Sequence, residues 1–426
     1  MCIRDSAWAL PGGKIALNRG LLVELRSEAE LAAVLAHEIV HAAARHSAQS
    51  MERSVFLQGA LVAAGVALGG TNYRDLGMMG AELGAQLTNQ KFGRDDESEA
   101  DRYGMRYMAR AGYDPAAAVG LQETFVRLSE GREPNWLSGL FASHPPSRAR
   151  VELNRVELTR LGNPGGEIGA ERYQRAIARL KRNKPAYEAY DEARQAVKRG
   201  DLKDARAKVE KAIRIEPREA AFYSLRGEIN AAQGRDAATI KDLDRAVGLN
   251  SGYFRPLLVR GLTRNRLGDD AGARRDLERS IALLPTAEGY YGLGQAAARS
   301  GRREEAMRYF RKAAGSQSDA GNRANSQLAR LDIEAHPERY LVASLGLSRR
   351  GFLLVRVTNR APLAVRGVRV VVGSQGAGGF RERAAYRFDR AIEAGQTVQL
   401  ETRLGPMRAD SVRRLAARVS AAQPVE

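Results

Sequence analysis

The chain has 426 residues, 44% of them hydrophobic and 28% charged, with a formal net charge of +18 and a pI near 10.2. At roughly 150 residues per domain this length predicts two to four domains with real cores, and the composition excludes a disordered, collagenous, disulfide-scaffold or multi-span membrane chain. The charge suits nucleic acid, acidic lipid or an anionic envelope surface without choosing among them. Half of it, +9, sits in residues 337–426, where 16 Arg stand beside 7 acids and no Lys.

Met1 to Ser6 (MCIRDS) reads as the translation of a sequencing-adapter tail and holds the single cysteine, Cys2. The expectation is that these six residues are not native, that the gene is truncated at its 5′ end, and that any signal segment is missing with it. Without Cys2 the protein has no cysteine, which fits an oxidising compartment. Pro11-Gly12-Gly13 is a turn, and Lys14–Leu17 alternates polar with apolar as a short strand does. Ser27 suits a helix N-cap with Glu30 at capping-box spacing, and the helix that follows carries Leu31, Val34, Leu35 and Ile39 at helical intervals. Val55–Gly70 is the most apolar run; at 16 residues it falls short of the roughly 20 that span a bilayer, and a buried or interface helix is expected there. Leu161–Lys184 reads as a Gly/Pro turn and a basic helix leading to a boundary at Pro185.

The next part repeats. Pro217, Ser251 and Pro285 recur every 34 residues, and Gly200, Gly234, Gly268 and Gly301 every 34, 34 and 33. This period marks tetratricopeptide (TPR) helix pairs. Small residues fall where two helices must approach: Gly227, Gly261 and Gly294 in first helices, Ala205, Ala273 and Ala306 early in second ones, and Ala212, Ala246, Ser280 and Ala313 late in them. Four repeats are expected over about residues 186–319, then a capping helix at Asn322–Ile333. From Tyr340 the period becomes two, with strands at Tyr340–Leu345, Phe352–Thr358, Val365–Val372 and Thr397–Leu404, and others near Ala384–Phe388 and Val412–Val419. These predict a small antiparallel β-sandwich. The expected fold class is multidomain and mainly α: an α+β protease domain at 1–185, a TPR α-solenoid at 186–335 and an Arg-rich β-sandwich at 336–426.

Histidine is scarce: His37, His41, His46, His144 and His336 are all of it. Two of them form His37-Glu38-Ile39-Val40-His41, an HExxH pattern inside the helix already inferred. Residues i and i+4 share a helix face, so both imidazoles can reach a single Zn²⁺ at about 2.0–2.1 Å. Glu38 stands beside that face, where it can act as general base toward water. A catalytic zinc needs a third protein ligand, and Glu97-Ser98-Glu99-Ala100-Asp101 offers two carboxylates at i and i+4. Glu97 is the expected ligand and Glu99 the second choice; Asp101 is placed to accept the free N–H of a liganded imidazole. An acidic pair of this kind standing alone is most often a solvated helix face, and its position downstream of HExxH is what gives it weight.

Ala9-Leu10-Pro11-Gly12-Gly13, Gly20-Leu21-Leu22, Leu31–Glu38, Glu97–Asp101 with Gly104, and Ser143-His144-Pro145-Pro146 with Arg150 together resemble the gluzincin metallopeptidases of the HtpX/BepA type. With its TPR array the chain is similar to the BepA-like branch, periplasmic proteases of Gram-negative bacteria concerned with outer-membrane protein quality; the β-domain departs from that pattern. The resemblance implies one zinc per chain on His37, His41 and Glu97, with Glu38 as general base. His144, in its Pro-rich loop, is expected as a reversible fourth ligand that closes the site, as an oxyanion stabiliser, or as a structural anchor with Arg150. His46 is read as either a partner of a ligand or a surface residue, and His336 has no role.

The function expected is a zinc endopeptidase acting on unfolded or misassembled proteins, its TPR groove recruiting substrate, peptide or a partner protein. Tyr190, Tyr223, Tyr290 and Tyr291 are core or groove, most of them core. The Arg-rich domain suits anionic lipid headgroups, cell-wall polymer or a protein edge, and no recognisable nucleic-acid motif is present. The alternative is a non-catalytic TPR chaperone or assembly scaffold with a latched or structural zinc; an intact HExxH argues against it, because a scaffold has no use for Glu38.

Overall fold

The computed structural model describes residues 7–10, 13–46, 49, 93–130, 144–376 and 379–425; the apolar run Val55–Gly70 and Ser143 lie outside the described residues. The chain divides into two compact units, Met1–Lys184 and Pro185–Glu426.

In the first unit, β1 (Ala7–Leu10) pairs antiparallel with β2 (Lys14–Leu17), Ala7 opposite Leu17. The short helix α1 (Arg19–Glu24) leads into α2 (Glu28–Ala43). Ser27 caps α2 by accepting from the Glu30 N–H at 3.2 Å. The Glu30 carboxylate accepts from the Arg26 N–H at 2.6 Å, one residue upstream of the reciprocal partner that the capping-box spacing predicts. Ala29, Ala33, Val34, Ala36 and Val40 form the inner face, while Ile39 is 43% exposed. Glu38 and His41 take buried positions that an amphipathic reading gives to apolar side chains. Among the described residues α3 (Arg94–Arg110), α4 (Ala116–Glu130), α5 (Arg148–Arg160) and α6 (Ala170–Arg182) follow. The basic helix α6 is tied down by Tyr173, which is buried and donates from its hydroxyl to the Leu22 carbonyl at 2.6 Å, and by Ile177.

The second unit opens with four helix pairs: α7 (Lys184–Lys198) and α8 (Leu202–Ile215), α9 (Ala220–Ala232) and α10 (Asp236–Leu249), α11 (Phe254–Arg266) and α12 (Asp270–Leu283), α13 (Ala287–Arg299) and α14 (Arg303–Ala314). Helix α15 (Asp319–Asp332) follows them. Gly200, Gly234, Gly268 and Gly301 adopt φ of +70° to +81° at the turn inside each pair, a conformation that costs other residues energy. Gly227, Gly261 and Gly294 sit where two helices touch; a Cβ there would stand 2.7, 2.7 and 2.5 Å from Leu243, Leu277 and Phe310. Tyr190, Tyr290 and Tyr291 pack against the apolar clusters of the array.

Beyond α15 two three-stranded antiparallel sheets face each other, in orders β3-β4-β7 and β6-β5-β8: β3 (Leu341–Leu347), β4 (Leu353–Asn359), β5 (Val365–Gly376), β6 (Gly379–Phe388), β7 (Thr397–Glu401) and β8 (Leu415–Pro424). Their shared core holds Val355, Val357, Val368, Val370 and Val372, and Ile333 after α15 joins it. The expected strand at Val412–Val419 begins only at Leu415, because residues 409–413 form a short helix, α16 (Ala409–Arg413). Among the described residues no helix is long and apolar enough to cross a membrane.

Candidate metal centre

Helix α3 crosses α2 at a glycine. A Cβ on Gly104 would stand 3.3 Å from the His37 backbone nitrogen, so the two helices approach more closely than a larger residue permits. One turn before Gly104, Asp101 brings its Oδ1 to 3.0 Å from His37 Nδ1. One turn earlier again, Glu97 lies with its Oε2 3.5 Å from His37 Nε2 and its Oε1 3.4 Å from His41 Nε2. The two imidazoles share the inner face of α2, with Nε2 atoms 3.0 Å apart.

Ser147 caps α5 by accepting from the Arg150 N–H at 3.2 Å, which fixes the first turn and the loop before it. His144 in that loop places Nδ1 2.9 Å from Glu97 Oε1 and 3.2 Å from His37 Nε2, and its Nε2 3.4 Å from Glu38 Oε1. Arg150 grips Asp101 through two hydrogen bonds of 2.8 Å, lies 2.6 Å from Glu97, and donates to the Pro145 carbonyl at 3.2 Å. His46 is buried, its Nδ1 2.9 Å from His41 Nδ1. Glu99 is exposed and reaches His46 Nε2 at 3.7 Å. His336 lies in the second unit.

His37, His41, Glu97 and His144 thus each offer one ligand atom to a common point, all within 4.8 Å of one another. A tetrahedral ion held at about 2.0–2.1 Å separates its ligand atoms by about 3.3–3.4 Å. The nitrogen and oxygen pairs named above span 2.9–3.5 Å. Three ring nitrogens converging this closely present lone pairs that a cation satisfies together and hydrogen bonds satisfy only in part. Glu38 is 2% exposed, and its Oε2 has no hydrogen-bond partner among the described residues, an unfavourable state for a buried carboxylate that has no ion or substrate beside it. The donor set fits Zn²⁺.

Burial opposes charge throughout this cluster. At His37 the hydrogen bonds and charges of Asp101 and Glu97 overcome it and raise the imidazole to about 10; His41, buried and facing His37 and His144, is lowered to about 4. The Asp101 carboxyl is held down at about 2 by His37 and Arg150 against its burial. Histidines 144, 37 and 41 likewise hold Glu97 below the usual carboxylate range. Both carboxylates are therefore anionic at neutral pH, the form in which a carboxylate can bind a cation.

Residues 4–155 match Peptidase family M48. The chain carries an M48 peptidase domain. Residues 190–254 and 258–322 match the tetratricopeptide repeat, so an M48 domain is followed by a TPR array; the cofactor is zinc, and His37, His41, Glu97 and His144 form a group that could hold it. Metalloprotease YcaL of Escherichia coli is 31% identical over 36% of this chain and 58% of its own length. Mitochondrial metalloendopeptidase OMA1 of Schizosaccharomyces pombe is 39% identical over 35% of this chain and 43% of its own. The beta-barrel assembly-enhancing protease of Escherichia coli is 26% identical over 58% of this chain and 55% of its own length, which carries the match past the M48 domain into the repeats. The chain spans between 28% and 59% of the length of these curated relatives.

Gln122 and Asn154 are buried beside the M48 site, and sequence spacing gave no sign of either. They stand on α4 and α5, which only tertiary packing brings to the HExxH helix.

Proposed function

We propose that this protein is a zinc-dependent endopeptidase that cleaves unfolded or misassembled proteins, with the TPR array recruiting substrate or a partner protein. We infer further that it serves outer-membrane protein quality control in the periplasm of a Gram-negative bacterium. The observation that carries the reading is the convergence of His37, His41 and Glu97 beside a buried Glu38 whose Oε2 has no hydrogen-bond partner among the described residues.

His37, His41 and Glu97 would hold the metal, which when bound polarises a peptide carbonyl and makes a water molecule more acidic. Glu38 takes the proton of the attacking water on its carboxylate and returns it to the leaving amine. Asp101 accepts the Nδ1–H of His37 and so directs the Nε2 lone pair toward the metal position. Arg150 bridges Asp101 and Glu97 and balances their charge. The edge of β2 opposite β1 is unpaired among the described residues, and an extended substrate can add to it through main-chain hydrogen bonds, which gives loose sequence preference.

His144 lies within ligand distance of the same point, which favours its action as a latch over action on the oxyanion. As a latch it occupies the position that substrate needs, so His144→Ala raises proteolysis; a fall of several hundredfold assigns it to the oxyanion instead.

The test has two arms. Elemental analysis of the purified chain is expected to find about one zinc per chain, lost in Glu97→Ala. A gel assay on an unfolded outer-membrane β-barrel protein is expected to show cleavage that disappears with chelator and in Glu38→Gln. Protection of that substrate without any cleavage would instead make the protein a scaffold.

A further inference from the structure

Of the two imidazoles on α2, His37 has the Asp101 carboxylate behind its Nδ1, whereas His41 has another imidazole. His46 places its Nδ1 2.9 Å from His41 Nδ1, and both rings are buried. A buried polar ring is costly unless its nitrogens find partners, and an aliphatic residue would fill the place without that cost. The chain also bends sharply to bring His46 there. Helix α2 stops at Ala43, and Arg45 takes φ +57°, a conformation that a non-glycine residue keeps only where its surroundings hold it. The start of α3, which carries Glu97, meets the other side of the ring. Asp96 Oδ1 and Glu99 Oε2 lie 3.9 and 3.7 Å from His46 Nε2, and the second Asp96 oxygen accepts from the Gly93 N–H at 3.1 Å.

We propose that His46 is a positioning residue of the metal centre: it accepts the Nδ1–H of His41 and so holds that imidazole with its Nε2 lone pair toward the metal position. The inference rests on the zinc reading above. His41 turns Nε2 toward Glu97 and toward His37 Nε2, so a metal at that point takes the Nε2 lone pair and leaves the ring proton on Nδ1. Two nitrogens 2.9 Å apart share a hydrogen bond only when one donates and the other accepts. His46 Nδ1 therefore presents its lone pair, and its own proton lies on Nε2. That N–H faces Asp96 and Glu99, whose negative charges favour this tautomer. The two ligating imidazoles are thus oriented by different chemistries, His37 by an anion and His41 by a neutral ring. Because Asp96 and Glu97 are neighbours on one turn, a single segment of α3 supplies one ligand and sets the proton that orients another.

The experiment titrates the full chain with Zn²⁺ against a chelator of known strength, comparing wild type, His46→Leu and His46→Asn. The Asn amide oxygen stands where the imidazole Nδ1 stood, so it restores the acceptor without the ring. His46→Leu is expected to weaken zinc binding about 10–100-fold, and His46→Asn to recover most of that loss. Zinc held as tightly by His46→Leu as by wild type overturns the proposal. An Asn variant no better than the Leu variant overturns it too, since His46 would then act by packing alone. A second readout follows the proton itself. In the Co²⁺-substituted chain the Nδ1–H of each ligating imidazole gives a paramagnetically shifted NMR line, that of His37 being assigned by its response to Asp101→Asn. The His41 line is expected to exchange slowly with deuterium in wild type and His46→Asn and rapidly in His46→Leu; equal exchange in all three overturns the proposal. Both readouts need metal uptake and no cleavage. A chain with these responses that cuts no protein overturns the peptidase reading and upholds the role of His46, whereas a wild type that takes up no zinc overturns both. Circular dichroism tells a lost acceptor from a lost fold. Should His46→Leu fail to fold, weak zinc binding by a folded His46→Asn overturns the proposal.

Discussion

Gly104 decides how close two helices come, and through that distance it decides whether a carboxylate reaches a histidine. Its absent Cβ would meet backbone, the His37 nitrogen at 3.3 Å and the Ala36 carbon at 3.5 Å, and backbone has no rotamer with which to retreat. Gly104→Val therefore pushes α3 away from α2 and draws Asp101 and Glu97 off His37. Zinc content well below one per chain is the expected result, with helical circular dichroism largely kept. Asp101 acts through charge and orientation. Asp101→Asn keeps the shape but weakens the hold on the His37 Nδ1–H and leaves Arg150 with Glu97 alone to balance it. The expected cost is about 10–100-fold in zinc affinity, read by competition with a chelator of known strength. An unchanged affinity would show that His37 is oriented by its packing and not by this hydrogen bond.

At the scale of elements, the repeats share one device in different chemistries. A residue of the first helix faces a residue of the second, 16 positions later. In the first pair Glu192 meets Lys208 at 2.9 Å. In the next two the sign is reversed, with Arg226 on Asp242 and Arg260 on Asp276, both at 2.6 Å. In the fourth pair Leu293 and Tyr309 occupy the same positions and join one apolar cluster. Arg260 and Asp276 are the most buried of the charged pairs, and Asp276 also holds Arg264 at 2.7 Å. Asp276→Ala takes one of the two carboxylates from Arg260, which keeps Asp244 at 2.7 Å, and the nearest one from Arg264; a loss somewhat below the ~3–5 kcal/mol of a wholly uncompensated buried charge is expected in urea unfolding. Arg260→Leu with Asp276→Tyr copies the fourth pair and should cost much less than the single change. A double variant as unstable as Asp276→Ala would show that these positions demand charge.

The 34-residue period made the helix pairs legible, because turn glycines and close-contact small residues must recur wherever the geometry recurs. The partner of each charged position was not legible, since the 16-residue offset acquires meaning only when two helices lie side by side. The metal centre divides in the same way. His37 and His41 are visible through i, i+4 spacing on a helix, and Glu97 through its own spacing to Asp101. His46 falls five residues beyond His41, which a continued helix would carry off the shared face. It returns to His41 because α2 ends at Ala43 and Arg45 adopts φ +57°, turning the chain back on itself. The join between α15 and the β-domain is a further contact of this kind. Tyr340 donates to Asp332 at 3.1 Å, and burial, with the Asp332 charge, raises its phenol to about 12. A folded value above the unfolded value of 10 means the contribution is intact below pH 10 and is lost as pH rises from 10 to 12. Stability in that window should fall less steeply in Tyr340→Phe than in wild type.

Across the whole molecule the positive charge is concentrated, and its carrier in the last fifth is arginine alone. In the β6-β5-β8 sheet the buried valines at 368, 370 and 372 alternate with outward positions. Exposed Arg366 and Arg369 on β5, Arg387 on β6 and Arg418 on β8 stand on the strands of this sheet. Arg369 and Arg387 are directly opposed across the β5–β6 ladder, where like charges repel. Glu382 and Asp389 offset part of this, at 2.9 and 3.0 Å. Guanidinium groups grip phosphate through paired N–H donors as ammonium groups do not, so such a face suits a surface of anionic phospholipid headgroups. Each basic residue near such a surface contributes about 1 kcal/mol, screened within a Debye length. The full chain should therefore co-sediment with phosphatidylglycerol vesicles at low salt, release at a few hundred millimolar, and ignore phosphatidylcholine vesicles. Arg369→Glu with Arg387→Glu should abolish the binding while zinc content stays at the wild-type level. Binding that survives this double reversal would move the contact to another face of the molecule, and retention by duplex DNA but not by vesicles would identify the anion as nucleic acid.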